Sequence, residues 1–350
     1  MTKPVTIGNI KIGSKYPIRI KGMLKKSLSN KDALLKEALD LKKEGADIIR
    51  VAIKNRDDSN ILSYLKKNLD IPFVADIHFN YKLALEAIDA GFDGIRLNPL
   101  NIKDINGIRE VIKKAKTKKT HIRVGINSGG FKKRLSKEKL ANEMVKNALE
   151  FIKLLEKEEF QNISVSLKAS DVSTTILANR ILSKKTDYPI HLGVTATGTF
   201  LEGIVKSVLG IGILLNEGIG NILRVSLTSD SVLEIKIAKF ILQALNLRYF
   251  SPEIISCPTC SRTQVDLIKI VNEFQNRLDF LSSSNLPKKI AIMGCEVNGP
   301  GEASVADIGI AFGNKRAILF KKGKIVRVLK EDNLIEEFLK EVCNGDHSRD

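Results

Sequence analysis

The chain has 350 residues, 43% of them apolar, with a formal net charge of +17, long enough for two or three domains with separate cores. Its longest apolar run, residues 208–215, is far short of the ~20 residues that cross a bilayer; no secretory-type apolar stretch opens the chain. This excludes a membrane-spanning protein and leads us to expect a cytoplasmic one. The basic excess is mostly lysine scattered over helical segments, as at Lys113-Lys114 and Lys118-Lys119, with few aromatics for stacking; nucleic acid is therefore not the expected partner, whereas anionic substrates or acidic proteins are.

A short hairpin is expected over 5–13. A strand-then-helix rhythm follows, with strands at 17–21, 47–52, 72–77, 94–97, 121–126, 162–167, 189–194 and 222–226. The helical patterns between them cover 31–44, 58–69, 81–90, 103–116, 137–157, 174–182, 201–216 and 231–245. Eight such units in about 250 residues are the requirement of a (β/α)8 TIM barrel; a doubly wound sheet would use fewer strands and a glycine fingerprint that is not found. Beyond 247 the rhythm changes. A strand at 254–255, a helix at 264–276, a polar break at 282–285, strands at 289–293, 308–312, 317–320 and 324–328, and a helix at 333–342 suggest a smaller α+β domain. We expect His347 to Asp350 to be frayed. The expected division is 1–247 and 248–350.

In such barrels function collects at the C-terminal ends of the strands. Five of these ends carry a cation: Arg50, Arg96, Arg123, Lys168 and Arg224. Asn98 and Asn127 follow two of them, and Asp76 with His78 closes another. One arginine in an apolar strand is ordinarily paired with a carboxylate in the barrel. Five cations in equivalent places would repel one another unless a highly charged anion sat among them. Guanidinium forks match phosphate oxygens and Lys168 adds a point charge, so the mouth reads as a diphosphate or bisphosphate site. His78 and His191 become donors in that setting, whereas His121, at the start of its strand, reads as structural.

The other constellation is Ser256-Cys257-Pro258-Thr259-Cys260-Ser261-Arg262 with Gly294-Cys295-Glu296-Val297-Asn298-Gly299-Pro300-Gly301-Glu302. A CxxC alone is open between zinc, a redox disulfide and an iron-sulfur cluster. No βαβ unit precedes it for thioredoxin-like use. A zinc site would want a fourth Cys or His, for which only Cys343 and His347 remain. Glu302, after a glycine-proline turn, is the better fourth ligand, and three thiolates with one oxygen suit a [4Fe–4S] cluster with one labile iron.

These motifs resemble the signature of the bacterial 4-hydroxy-3-methylbut-2-enyl-diphosphate synthase family. So do Gly45–Val51, Val74–Phe79, Leu167–Val172, Pro189–Thr195 and Leu223–Thr228, so that the resemblance covers nearly the whole chain. It implies a TIM barrel followed by an iron-sulfur domain, with a [4Fe–4S] cluster on Cys257, Cys260, Cys295 and Glu302. It implies that Arg50, Arg96, Arg123, Lys168 and Arg224, helped by His78, Asn98 and Asn127, hold a cyclic diphosphate. The implied reaction is a two-electron reductive ring opening and dehydroxylation, fed by a reduced flavodoxin or ferredoxin, in a homodimer. The chain departs from the pattern at the barrel mouth. Ala196 stands where a glutamate is usual, which leaves Thr195 or water to relay the proton. Lys21-Gly22-Met23-Leu24 replaces a Gln-Ser-Met-Thr-like stretch, Leu100 replaces a glycine, and Gly130-Phe131-Lys132 replaces a more regular loop. This pattern fits a diverged enzyme, or a paralogue with an intact cluster and altered or lost turnover; a zinc-stabilised anion- or nucleic-acid-binding barrel is the non-enzymatic alternative.

Overall fold

The computed structural model describes residues 1–55, 57–102, 104–131, 135–278, 286–296, 299–330 and 334–344, and for a few residues, Pro300 and Glu302 among them, the backbone only. Val297, Asn298, Lys132, Lys103, Asn333, His347 and the polar break at 282–285 lie outside the described residues. The chain divides into two units, Met1–Tyr249 and Phe250–Asp350.

In the first unit a hairpin of β1 (Val5–Ile7) and β2 (Ile10–Ile12) precedes eight strand-helix pairs. These are β3 (Arg19–Met23) and α1 (Lys31–Glu44), β4 (Ile48–Ala52) and α2 (Ile61–Asn68), β5 (Phe73–Asp76) and α3 (Tyr81–Asp89), and β6 (Gly94–Leu97) and α4 (Ile105–Lys118). Then come β7 (His121–Asn127) and α5 (Lys137–Lys157), β8 (Ile163–Lys168) and α6 (Val172–Ser183), β9 (His191–Leu192) and α7 (Phe200–Asn216), and β10 (Ile222–Leu223) and α8 (Ser231–Ala244). The strands run parallel in chain order from β3 to β8 and from β9 through β10 back to β3; a bridge between Val165 and Ile190 joins β8 to the start of β9 and completes the barrel. Side-chain caps begin the helices where polar residues precede apolar periodicity: Asn30, Asn80, Asp104, Ser136, Asp171 and Asp230 each accept a backbone N–H, satisfying donors a helix start leaves open. Val5, Ile7 and Ile12 of the hairpin pack on Ile48, Val74 and Ile222 of the barrel strands, closing the end opposite the C-terminal mouth.

Three barrel strands differ most from expectation. The first barrel strand starts two residues later than its sequence suggests, because Pro17 has no N–H to donate and Arg19 makes the first bond, to Asn221 O at 3.0 Å. The seventh and eighth strands are shorter than 189–194 and 222–226: Arg224 N still reaches Leu192 O at 3.1 Å, but Ser226 O is taken by the Thr197 hydroxyl at 2.7 Å in place of a ladder partner.

The second unit holds β11 (Glu253–Ser256), α9 (Leu267–Leu278), β12 (Lys289–Met293), α10 (Gly299–Glu302), β13 (Ile308–Gly313), β14 (Arg316–Lys321), β15 (Lys324–Lys330) and α11 (Leu334–Asn344). Its five-stranded sheet runs in chain order, parallel from β11 to β13 and antiparallel from there. Alternation along β12 sends Ile290 and Ile292 to the face covered by Leu267, Phe274 and Phe338, and Ala291 and Met293 to the face shared with Ala303, Ala306 and Phe320, the period-2 pattern of a strand covered on both sides. No helix among the described residues is long and apolar enough to cross a membrane.

Candidate active site

Inward positions of the barrel strands are polar where a barrel of this kind is usually filled by branched apolar residues. Asp76, 4% exposed, sits at the centre of the charges. Arg50 stands 3.6 Å from its carboxylate, Arg96 3.7 Å and Arg123 3.9 Å, and His78 Nε2 lies 3.2 Å away. Burial pushes the Asp76 pKa up, but Arg50, the His78 hydrogen bond, Arg96 and Arg123 together hold it well below the usual carboxylate range. The carboxylate pairing expected for a lone arginine thus exists, but one carboxylate is shared by three guanidiniums.

The remaining charges have less. Arg96 donates to Gly125 O at 2.9 Å. Arg123 contacts the Ser166 hydroxyl at 3.3 Å and His191 Nδ1 at 3.0 Å, while its Nε and one terminal nitrogen, Lys168 Nζ, Arg224 Nε and His191 Nε2 have no hydrogen-bond partner among the described residues. Burial first, then the neighbouring cations, lower the pKa of Lys168 and Arg123 well below their ordinary values. Burial with Arg50 brings Arg224 down to about 10. Buried polar groups are normally paired, so a row of open N–H donors around one carboxylate has the chemistry to hold an anion. Asn98 is buried and accepts from Leu100 N at 3.1 Å; Asn127 stands opposite Lys168 in the β7–β8 register.

Neighbouring elements hold these side chains in place. A Cβ on Gly125 would strike Arg96, and one on Gly193 would strike Lys168 Nζ and Arg224 O, so both glycines leave room for a long cation. Asn179 of α6 donates to Leu167 O at 3.0 Å and Thr175 takes both backbone groups of Ala169, fixing the end of β8. Glu37 accepts from Lys25 N, Lys26 N and Ser231 Oγ, fixing the loop after β3. His121, expected to be structural, is fully buried, and both of its nitrogens lack partners among the described residues.

Sequence reasoning did not count Lys21 among the barrel cations. It is 1% exposed, with an unpartnered Nζ. The signal was its place at the end of the expected strand 17–21, the position that singled out the other five cations. The loop departures also acquire positions. A Cβ on Gly130 would meet Leu100 Cδ1 at 2.7 Å, so those two changes touch each other. Ala196 is exposed and has φ 50°, left-handed for a residue with a Cβ. Thr195 is half-buried and its N–H goes to Ala169 O at 3.1 Å.

In the second unit β11 and β12 are parallel neighbours with Ser256 opposite Ile292, so the loops leaving their C-terminal ends lie side by side. They carry Cys257 and Cys260 on one and Cys295 on the other; all three thiols are free and line one cavity of about 150 Å³ with Met293, Arg262 and Thr263. Gly294 N–H donates to Cys257 Sγ at 3.4 Å, and Cys260 N–H to Thr263 Oγ1 at 3.1 Å. Among the described residues no three His, Cys, Asp or Glu side chains converge as a single ion requires. A cubane cluster places each ligand on a different iron, so three thiols spread around one cavity, one of them already accepting an N–H, fit that group. The glycine-proline turn expected ahead of Glu302 is one helical turn, Gly299–Glu302, and Gly299 is needed because a Cβ there would strike Ala311 of β13. The Glu302 side chain lies outside the described side chains. Cys343 sits half-buried in α11.

A profile of the GcpE TIM-barrel domain matches residues 2–239, and one of the GcpE protein C-terminal domain matches residues 253–344. Relatives named 4-hydroxy-3-methylbut-2-en-1-yl diphosphate synthase (flavodoxin) include that of Caldicellulosiruptor saccharolyticus, 47% identical over 98% of this chain and 98% of its own. Those of Caldanaerobacter subterraneus subsp. tengcongensis, 44% identical over 98% and 96%, and Thermodesulfovibrio yellowstonii, 45% over 97% and 98%, are alike. Among solved structures, dihydropteroate synthases of Xanthomonas albilineans and Stenotrophomonas maltophilia each cover 70% of this chain with TM-score 0.52 at 12% and 16% identity, a likeness of fold alone. The chain therefore belongs to the GcpE family of 4-hydroxy-3-methylbut-2-en-1-yl diphosphate synthases.

Proposed function

We propose that the chain catalyses the reductive opening of 2-C-methyl-D-erythritol 2,4-cyclodiphosphate to 4-hydroxy-3-methylbut-2-enyl diphosphate, with a reduced flavodoxin or ferredoxin as donor. The carrying observation is the surplus of buried cations around Asp76, which needs a polyanion to complete it. Arg50, Arg96, Arg123, Lys168 and Arg224, with His78, Asn98 and Asn127, bind the cyclic diphosphate. Cys257, Cys260, Cys295 and Glu302 would hold a [4Fe–4S] cluster, which when bound supplies two electrons in single steps.

The balance of the reaction assigns the rest. The C2–O bond to the ring phosphate and the C3–OH bond break, a C2=C3 double bond forms, and two electrons and one proton are consumed as the hydroxyl leaves as water. The phosphate oxygen freed at C2 gains negative charge, and the guanidiniums already in place stabilise it without reorganising. Ala196 has no proton to give, so the proton reaches the leaving hydroxyl through Thr195 or water.

We further propose a homodimer working in the reducing cytoplasm. An exposed apolar stripe along α7, formed by Leu201, Val205, Leu209 and Ile213, supports a second copy as its cover. The test is anaerobic: protein reconstituted with iron and sulfide, a reduced flavodoxin, and product read by mass spectrometry. Product is expected from the wild type and none from Cys295→Ser. Substrate binding to a cluster-loaded protein that yields no product would overturn the catalytic reading, and bound zinc without iron or sulfide would overturn the cluster.

A further inference from the structure

The barrel holds one cation more than the five that bind at its strand ends. Lys21 of β3 is 1% exposed and its Nζ has no hydrogen-bond partner among the described residues. The register places it in the same circle. Arg19 pairs with Ile222 and Ile20 with Leu223, so the next pair along the two strands is Lys21 with Arg224. On its other side Lys21 pairs with Ile48, two residues before Arg50, and Met23 pairs with Arg50 itself. Met23 Sδ accepts from Arg50 Nε at 3.0 Å. Lys21 therefore points inward one pleat below Met23, under the level of Arg50.

The charge has no compensation of its own. Burial, then repulsion from Arg123 and Arg50, depresses the Lys21 pKa well below the usual lysine range, and Asp76 offsets only part of this. Asp76 is already shared among Arg50, Arg96 and Arg123. A position that served packing alone would hold an apolar side chain, because an ammonium taken out of water without a partner opposes folding.

We propose that Lys21 is an additional ligand of the bound anion, taking a phosphoryl oxygen from below the level of Arg50 and favouring diphosphate over monophosphate. The proposal rests on the reading of the mouth as a diphosphate site. A diphosphate is long enough to engage cations at two depths, that of Lys21 and Arg224 and that of Arg50, whereas a single phosphate at the level of Arg50 leaves Lys21 unmet.

The experiment titrates inorganic pyrophosphate and inorganic phosphate, separately, into the full chain by calorimetry, for wild type, Lys21→Gln and Lys21→Met. Thermal unfolding is recorded without anion. Both variants are expected to weaken pyrophosphate by about tenfold or more, the loss of one charge-assisted hydrogen bond, and to weaken phosphate much less. Both are also expected to melt at a higher temperature than the anion-free wild type, since they remove an unpaired buried charge. Equal pyrophosphate affinity in wild type and Lys21→Gln would overturn the role of Lys21 and leave the diphosphate site standing. Lower melting temperatures with parallel losses for both anions would make Lys21 a structural residue and overturn the proposal. A wild type that melts cooperatively but binds no pyrophosphate would overturn the site and the proposal together.

Discussion

Asp76 and the cations around it set the pH behaviour of the anion-free protein. A lysine whose folded pKa is lowered binds fewer protons folded than unfolded, so between the lowered value and 10.5 stability rises with pH. Below that window the penalty for the buried charge is fully present. Anion-free wild type is therefore expected to melt at progressively higher temperature as pH rises through that window toward 10.5, with a shallower slope for Lys21→Met; a flat profile in both would show that Lys21 does not titrate in the fold. Asp76 gives a slope of the same sign in a lower pH window, although there the charged form is the stabilising one. Its lowered pKa contributes stability above 3.8 that is lost as pH falls through the folded value. Asp76→Asn should destabilise the anion-free fold by about 3–5 kcal/mol, the usual result of removing one partner of a buried pair, measured by urea unfolding. At Ala196 the left-handed backbone favours glycine, so Ala196→Gly should raise stability by about 0.5–1 kcal/mol, and a decrease would mean that the methyl group packs against the fold. The five strand-end cations were legible because each directly follows an apolar residue at or near the end of an expected strand. Lys21 also closes its expected strand, 17–21, so its type and place were as visible as theirs; its burial and open Nζ were not.

At the scale of elements, the helices were the legible part. Asn30, Asp104, Ser136 and Asp230 announce their helices by the polar-then-apolar change that a cap produces, and α1 and α5 fall where periodicity puts them. Strand ends were less legible, because hydrogen bonds made by side chains of other elements decide them, as Thr197 does for Ser226. The roles of Gly125 and Gly193 were hidden for the same reason: each is explained by a cation on the adjacent strand, not by its own neighbours in sequence. Gly193→Ala supplies the test at this scale. Its methyl group would meet both Lys168 Nζ and the backbone oxygen of Arg224, and the oxygen cannot swing aside as a side chain can. We expect pyrophosphate affinity to fall by about tenfold or more in a protein whose far-ultraviolet circular dichroism is unchanged. Retained affinity would show that Lys168 reaches the anion by another path.

Across the whole molecule, charge and apolar surface point to different partners. The net charge of +17 favours association with an acidic donor, and long-range attraction of that kind is screened by salt. The α7 stripe is salt-insensitive in character: Leu201 is 72% exposed, Val205 56%, Leu209 45% and Ile213 36%, spaced so that they fall on one side of the helix. Apolar residues aligned this way on an exposed helix commonly mark a protein interface, and closed twofold pairing of identical chains is the commonest way to cover one. The sequence alone could not separate this stripe from core, since buried Ile211 and Leu214 share the same apolar run and differ only in which side of the helix the barrel covers. We therefore predict that the wild type measures twice 38.8 kDa by light scattering and that Val205→Asp with Leu209→Asp brings it to a single chain. Because both residues are already solvent-exposed, the double variant should keep its helical circular dichroism and its pyrophosphate affinity. A wild type that is monomeric at all concentrations would remove the dimer. A variant that stays dimeric would move the interface off α7.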